Sequence, residues 1–183
     1  MSIVALSGSP SANSRSAALL RHVLARFDDG TTRHEIALRE LPPAALMHAD
    51  FDDPAIRRAR EHVAAARLVL IATPIYKAAY SGLLKTFLDL LPQDGLRDKT
   101  VLAIGTGGSV AHLLALDYTL RPVLAALGAR HVLDTIYAVD AQLSPDAAHG
   151  YGVQDELARR IDRALVGAPF AARRHEPPIA LVA

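Results

Sequence analysis

The residues best suited to do chemistry form one run near the N-terminus, Leu6-Ser7-Gly8-Ser9-Pro10-Ser11-Ala12-Asn13-Ser14-Arg15-Ser16. An apolar segment, Ile3-Val4-Ala5-Leu6, leads into it, and a helix-like pattern from Ala17-Ala18-Leu19-Leu20 to Val23-Leu24 leads out. Between them sit four hydroxyls after Gly8 and one arginine. Such a turn suits a phosphate. Hydroxyls and backbone N–H groups donate, the N-terminus of the following helix adds positive partial charge, and Arg15 offers a charge-assisted contact. The alternative is a serine-rich loop in which a serine merely caps a helix. The run is neither a Walker A loop, which needs Gly-Lys-Ser/Thr, nor a GxGxxG turn, so both of those nucleotide classes lose ground.

Two later segments could complete a site. Thr73-Pro74-Ile75-Tyr76-Lys77-Ala78-Ala79-Tyr80-Ser81-Gly82 follows an apolar run, and Pro74 fixes the chain where it leaves the expected strand. Its small residues, Ala78, Ala79 and Gly82, allow close backbone approach, so main-chain N–H groups could reach the edge of a heteroaromatic ring. Tyr76 and Tyr80 could pack on a ligand, or they could sit at a subunit contact beside an ordinary strand-to-helix turn. Gly105-Thr106-Gly107-Gly108 removes side chains where a flat ligand could lie on the main chain, and its amides could stabilise negative charge on a reduced ring. A bare glycine turn is the other reading.

These segments act together only if the fold brings them to one edge. Apolar runs predict strands over 3–6, 67–72, 100–104 and 131–139, and an alternating pattern predicts a second, more exposed strand over 32–38. Helical patterns lie over 16–27, closed by Asp28-Asp29-Gly30, and over 54–66, 83–91, 110–127 and 153–166. Residues 44–54 and 142–151 read as loops. Five strands with intervening helices imply a single α/β domain, a parallel sheet covered on both faces. In such sheets ligands sit beyond the strand C-termini, where the strand order reverses. All three segments follow strand C-termini. The domain is expected over 1–172, with a Pro-bearing tail over 173–183.

Composition narrows the function further. The net charge of +1 points away from nucleic acid and from a polybasic membrane surface. The chain has no cysteine, which removes disulfides, thiolate nucleophiles and Cys-ligated metals. No apolar run reaches the roughly 18 residues a membrane span needs, and the start reads as a strand rather than a signal peptide, so a cytoplasmic protein is expected. His112, Asp117, Asp140 and His149 lack any recognisable ligand spacing, so no metal is expected. The absence of Gly-x-Ser-x-Gly leaves no nucleophile elbow for a hydrolase.

The pattern over 110–127 is unusual for a helix because Pro122 has no N–H for the carbonyl of Tyr118. A proline kink or a single-turn π-bulge around Tyr118 is expected. The face carrying Leu113, Leu114, Leu116, Leu120, Val123, Leu124 and Leu127 is more apolar than one sheet requires, which predicts burial against another subunit.

Taken together, Gly8-Ser9-Pro10 with Ser14-Arg15-Ser16, the Pro74 to Gly82 block, Leu84-Lys85-x-x-x-Asp89-x-Leu91-Pro92, and Gly105 to Gly108 with Ala111-His112-Leu113-Leu114 resemble the NADPH-dependent FMN reductases of the flavodoxin-like superfamily. The SsuE type, reductase partner of two-component alkanesulfonate monooxygenases, is most similar, over about residues 3–142. The resemblance implies a flavodoxin-like three-layer sandwich with a five-stranded parallel sheet in the order 2-1-3-4-5. Ser9, Ser14, Arg15 and Ser16 match the FMN-phosphate loop. Pro74, Ile75, Tyr76 and Lys77 match the segment beside the isoalloxazine ring, and Thr106, Gly107 and Gly108 match the loop opposite. Tyr118 is similar to an inserted tyrosine that makes a π-helix at a tetramer interface, and homodimers or homotetramers are usual.

The implied reaction is hydride transfer from NADPH or NADH to FMN, with no catalytic side chain, followed by delivery of FMNH2 to a monooxygenase. Two rivals share the fold. A flavodoxin-type electron carrier is expected to be strongly acidic, unlike this chain. A quinone or azo reductase differs only in its acceptor.

Overall fold

The computed structural model describes residues 2–27, 30–146 and 150–169. Asp28, Asp29, His149 and the 173–183 tail therefore lie outside the described residues.

The central apolar runs form strands buried on both faces. β1 (Ser2–Ser7), β3 (Leu68–Tyr76) and β5 (Thr100–Gly107) make the sheet centre. β2 (Thr32–Ala37) is the half-exposed edge beside β1. Along the other edge of β5 run β6 (His131–Val132) and β7 (Ile136–Val139), one expected strand interrupted between its halves. The main sheet is parallel in the order β2-β1-β3-β5 followed by β6 and β7, which, counting only its parallel strands and taking β6 and β7 as one position, is the expected 2-1-3-4-5.

Side chains alternate between two cores, one on each side of the sheet. Ile3, Ala5, Leu68, Leu70, Leu102 and Ile104 face α1 (Arg15–Leu24) and α6 (Asp155–Ala164). Val4, Leu6, Val69, Ile71, Val101 and Ala103 face α3 (Pro54–Ala65), α4 (Gly82–Leu88) and α5 (Arg121–Ala126). This gives the three layers.

Several local expectations are corrected. Residues 44–54 are not all loop, because Pro43 at the first helical position starts the short α2 (Pro43–Met47). Thr73-Pro74 does not end β3. The pairing with β1 stops at Ser7–Ala72, so Pro74 meets a vacant edge on that side while keeping register with Thr106 of β5. The chain then folds back as β4 (Ala79–Tyr80), antiparallel to the end of β3. Residues 110–127 are not one α-helix. A 3-10 turn at Val110–His112 precedes a π-helical turn at Leu116–Leu120, which runs into α5. Arg121 N–H reaches back five residues to Leu116 O, and Thr119 Oγ1 donates to Ala115 O at 2.7 Å. The segment 142–151 is largely a two-stranded hairpin, β8 (Leu143–Asp146) with β9 (Gly150–Val153).

Ser81 ties the sheet's rim to α4. Its hydroxyl donates to Gly8 O and accepts from Leu84 N–H at 3.1 Å, and its own N–H donates to Thr73 Oγ1 at 3.0 Å. The side chain is buried, so Ser81→Ala leaves the Gly8 carbonyl unsatisfied and takes one of two acceptors from Leu84 N–H, which keeps the Ser81 carbonyl at 3.1 Å. Such a loss costs about 1–3 kcal/mol. Urea unfolding of Ser81→Ala is expected to show a lower midpoint with an unchanged slope.

Candidate functional site

The parallel register fixes where the three segments meet. Ser7, Ala72, Ile104 and Ile136 align in one row across β1, β3, β5 and β7. The turns beyond this row therefore emerge at one rim.

The first turn runs from Gly8 to the N-terminus of α1. Gly8 N–H donates to Ala72 O at 2.7 Å, and a side chain here would place its Cβ 2.9 Å from Leu84 Cβ. Glycine thus lets the turn lie against α4. Ser9, Ser14 and Ser16 are buried. Ser9 Oγ accepts from Ser11 N–H at 3.2 Å, Ser14 Oγ accepts from Ala17 N–H at 3.3 Å as the helix cap, and the Ser14 and Ser16 hydroxyls are 2.9 Å apart. Both readings of this turn thus have a structural footing, since Ser14 is a genuine cap. What a cap does not explain is Arg15. Its Nε is buried without a hydrogen-bond partner. Its Nη1 lies 3.5 Å from Asp140 Oδ2, and its guanidinium lies 5.2 Å from the Tyr151 ring centroid.

The second segment places Pro74 and Ile75 in the buried end of β3 and leaves Tyr76 half-exposed. Lys77 and Ala78 form the exposed two-residue turn into β4 with φ of +50° and +63°. Two consecutive positive φ values suit Asn-Gly, and non-glycine residues there pay roughly 1–2 kcal/mol each. Burial pushes the Tyr80 phenol pKa up, the nearby Lys85 opposes this and Asp89 adds to it.

The third segment departs from its expectation. Gly105, Thr106 and Gly107 belong to β5, paired with Tyr137, Ala138 and Val139 of β7. Gly105 makes room for Leu116, 3.1 Å from where a Cβ would stand. Gly107 makes room for the Tyr137 hydroxyl, which a Cβ would meet at 2.5 Å. These two are glycine because protein packs against them. Gly108 is the open one, with Asp140 Oδ2 at 3.9 Å as the nearest atom to a Cβ there. Thr106 is buried. Tyr137 OH donates to Ser109 O at 2.6 Å, bracing the turn from below. Burial first, and Asp140 second, raise the Tyr137 pKa, which keeps this donor protonated.

Ser81, Tyr137, Asp140 and Tyr151 are not among the expected site residues. Asp140 stands out in the sequence only as a poor metal ligand, yet it pairs with Arg15, while Asp117 pairs with Arg121 at 3.1 Å. Among the described residues no group of three or more His, Asp or Glu could hold a metal ion. No described helix is long and apolar enough to cross a membrane. Tyr118 is 76% exposed on the π-turn, and Leu113, Leu114 and Val110 beside it are also exposed. Leu116, Leu120, Leu124 and Leu127 instead pack into their own core, so the expected intersubunit face is narrower than its apolar count implied.

A parallel sheet in this order, with an anion-suited turn after its first strand and two main-chain turns beside it, defines a flavodoxin-like nucleotide-binding α/β protein. An unpartnered Nε–H beside buried hydroxyls fits a phosphate monoester, and the open Gly108 leaves room alongside. Sequence comparison sharpens the class. The family model of the NADPH-dependent FMN reductases matches residues 1–143, and the chain belongs to that family of oxidoreductases, which use FMN and a reduced nicotinamide nucleotide. It is 43% identical over 166 residues to an FMN reductase (NADPH) of Escherichia coli, covering 90% of this chain and 86% of that one. It is 32% identical over 181 residues to the NADH-dependent FMN reductase SfnE of Pseudomonas putida, covering 95% and 97%. Among solved structures, the apo form of the NADH:FMN oxidoreductase EmoB superposes with a TM-score of 0.82 at 42% identity, covering 91% and 87%.

The Gly107–Tyr137 contact is testable. Tyr137 is buried and its hydroxyl is held by Ser109, so Gly107→Ala forces a shift costing about 1–3 kcal/mol. Denaturant unfolding is expected to show that loss, and a smaller one when alanine is introduced into Tyr137→Phe, where the obstructing oxygen is gone.

Proposed function

We infer that this FMN reductase holds its flavin at the rim described above, phosphate toward Ser9, Ser14, Arg15 and Ser16. The ring lies between the Pro74–Lys77 segment and Thr106, Gly107 and Gly108. The observation that carries the reading is Arg15, a cation whose buried Nε has no protein partner, at the start of α1 beside two buried hydroxyls. FMN, when bound, supplies a hydride-accepting ring nitrogen that no amino-acid side chain provides. The chain's own residues bind and orient. No side-chain acid or base is assigned, because hydride transfer from NADPH or NADH needs none.

The reduced flavin passes to a partner FMNH2-dependent monooxygenase, with alkanesulfonate desulfonation as the proposed pathway. Supporting this is a ring site without tryptophan, since the chain has none, and a phosphate-binding arginine that is 41% exposed. Both favour a flavin that leaves. A donor of the NAD(P)H type supports a cytoplasmic reaction. The catalytic unit is the single domain 1–172, with 173–183 as a tail. The exposed Val110, Leu113, Leu114 and Tyr118 support a homodimer or homotetramer built on this segment.

Two measurements test these assignments. Purified protein is expected to oxidise NADPH or NADH only when free FMN is added; tightly held flavin without turnover points to an electron carrier, and faster turnover with quinones or azo dyes to the rival reductases. Arg15→Ala removes a charge-assisted contact, so FMN binding is expected to weaken about tenfold or more while riboflavin binding changes little. Separately, Tyr118→Ala is expected to lower the mass seen by light scattering, and an unchanged mass removes Tyr118 from the subunit contact.

A further inference from the structure

We propose that Asp140 sets the flavin phosphate affinity of this protein: its carboxylate is a counter-ion on Arg15 that an incoming phosphate must share or displace. The proposal rests on the reading of the Ser9–Ser16 turn as the phosphate site. Asp140 follows β7 at the rim, so the fold delivers a carboxylate beside the turn after β1. Its Oδ2 lies 3.5 Å from Arg15 Nη1, and the two side chains are 45% and 41% exposed. On its other side the same oxygen is the atom nearest to the open position at Gly108. The carboxylate therefore stands between the phosphate turn and the glycine turn.

Arg15 is held from two directions, by Asp140 and by the face of Tyr151 on the β8–β9 hairpin. Its Nε is left without a partner. The guanidinium can thus give a phosphate the donors Asp140 does not use, but it does so next to an existing negative charge. A phosphate monoester carries about −1.5 to −2 charges at neutral pH. Two anions on one cation repel each other, and displacing Asp140 forfeits the ion pair. Either way FMN gains less over riboflavin than Arg15 alone would provide. The consequence is a site that distinguishes the phosphorylated flavin but releases it readily, which suits a flavin that must be handed on.

The test is fluorescence titration of Asp140→Asn with FMN and with riboflavin. Asparagine keeps the shape and one acceptor oxygen and removes the charge, while its amide adds N–H donors. FMN is expected to bind about two- to fivefold more tightly, riboflavin unchanged, and the gain to shrink as salt is raised, the size and salt sensitivity being those of a half-exposed charge pair. Asp140→Ala, which brings no new donor, serves as the second variant with the same expected direction, and tightening by asparagine but not by alanine overturns the proposal. FMN binding that is unchanged or weaker overturns the proposal, the latter by making Asp140 a residue that positions Arg15. Equal tightening of riboflavin also overturns it, since the carboxylate would then act on the ring. Arg15→Ala separates the two levels. If it leaves the FMN-to-riboflavin affinity ratio unchanged, the phosphate-turn reading falls. If it lowers that ratio while Asp140→Asn fails to raise it, only the role of Asp140 falls.

Discussion

Where β1 ends beside Ala72, the sheet stops supplying hydrogen-bond partners to the turn after β1 and to that side of β3, while β3, β5 and β7 stay paired further on; the buried backbone groups left over need other partners. Buried groups without partners are costly, so the rim is organised by side chains that satisfy main chain. Ser81 serves Gly8 O and the N-terminus of α4, and Thr73 Oγ1 accepts from Ser81 N–H. Ser14 caps α1, and Tyr137 OH donates to Ser109 O. The three turns are thereby fixed relative to one another before any ligand arrives. Preformed turns of this kind bind without a large ordering cost.

Two features of the rim run against local preference. Lys77 and Ala78 occupy left-handed backbone that glycine would adopt without strain. The π-turn at Leu116–Leu120 widens a helix just ahead of Pro122. Both have a mechanical cause in their surroundings. The antiparallel pairing of Tyr76 with Ala79 imposes the tight turn between them. Pro122 cannot donate to Tyr118 O, and Arg121 N–H bonds to Leu116 O, five residues back. The two features are also neighbours, since β4 packs against the π-turn. Strain of this sort persists only where surrounding contacts over-determine it. Here the contacts are the hairpin pairing on one side and the buried Leu116 and Leu120 on the other.

The sheet was legible because its strands are buried on both faces and so appear as continuous apolar runs: Leu68-Val69-Leu70-Ile71 can hardly be anything else. The positions of the special turns came from the rule that such strands are parallel. Element ends were less legible. Pro74 looks like a terminator, and only the shorter reach of β1 reveals that its edge is vacant. Gly105 and Gly107 look like a bare loop, and only Leu116 and Tyr137 show that these glycines make way for protein side chains. The hairpin over β8 and β9 carries no clean alternation and reads as a loop. The Arg15–Asp140 pair was illegible for a different reason: it joins residues far apart in sequence, and no local pattern in either predicts a long-range ion pair.

That pair also shows why charge counting says little about a site of this class. The chain is nearly neutral, with 20 basic and 19 acidic residues among Lys, Arg, Asp and Glu, which argues against a docking surface of uniform sign. On the proposed reading a phosphate meets the local balance at the rim, where one arginine is paired with one aspartate. A half-exposed ion pair is worth about 0–1 kcal/mol, so it holds Arg15 in place without locking it. The hydroxyls of Ser9, Ser14 and Ser16 are already spent in part on the turn itself and on each other. Ser9 and Ser14 are engaged with main chain as acceptors, so hydroxyl protons remain for a ligand, and each such bond gives modest net stabilisation because it replaces one to water. Under the proposed placement of the phosphate, a rigid frame with weakly committed donors is the arrangement expected of a site that turns over its nucleotide rather than storing it.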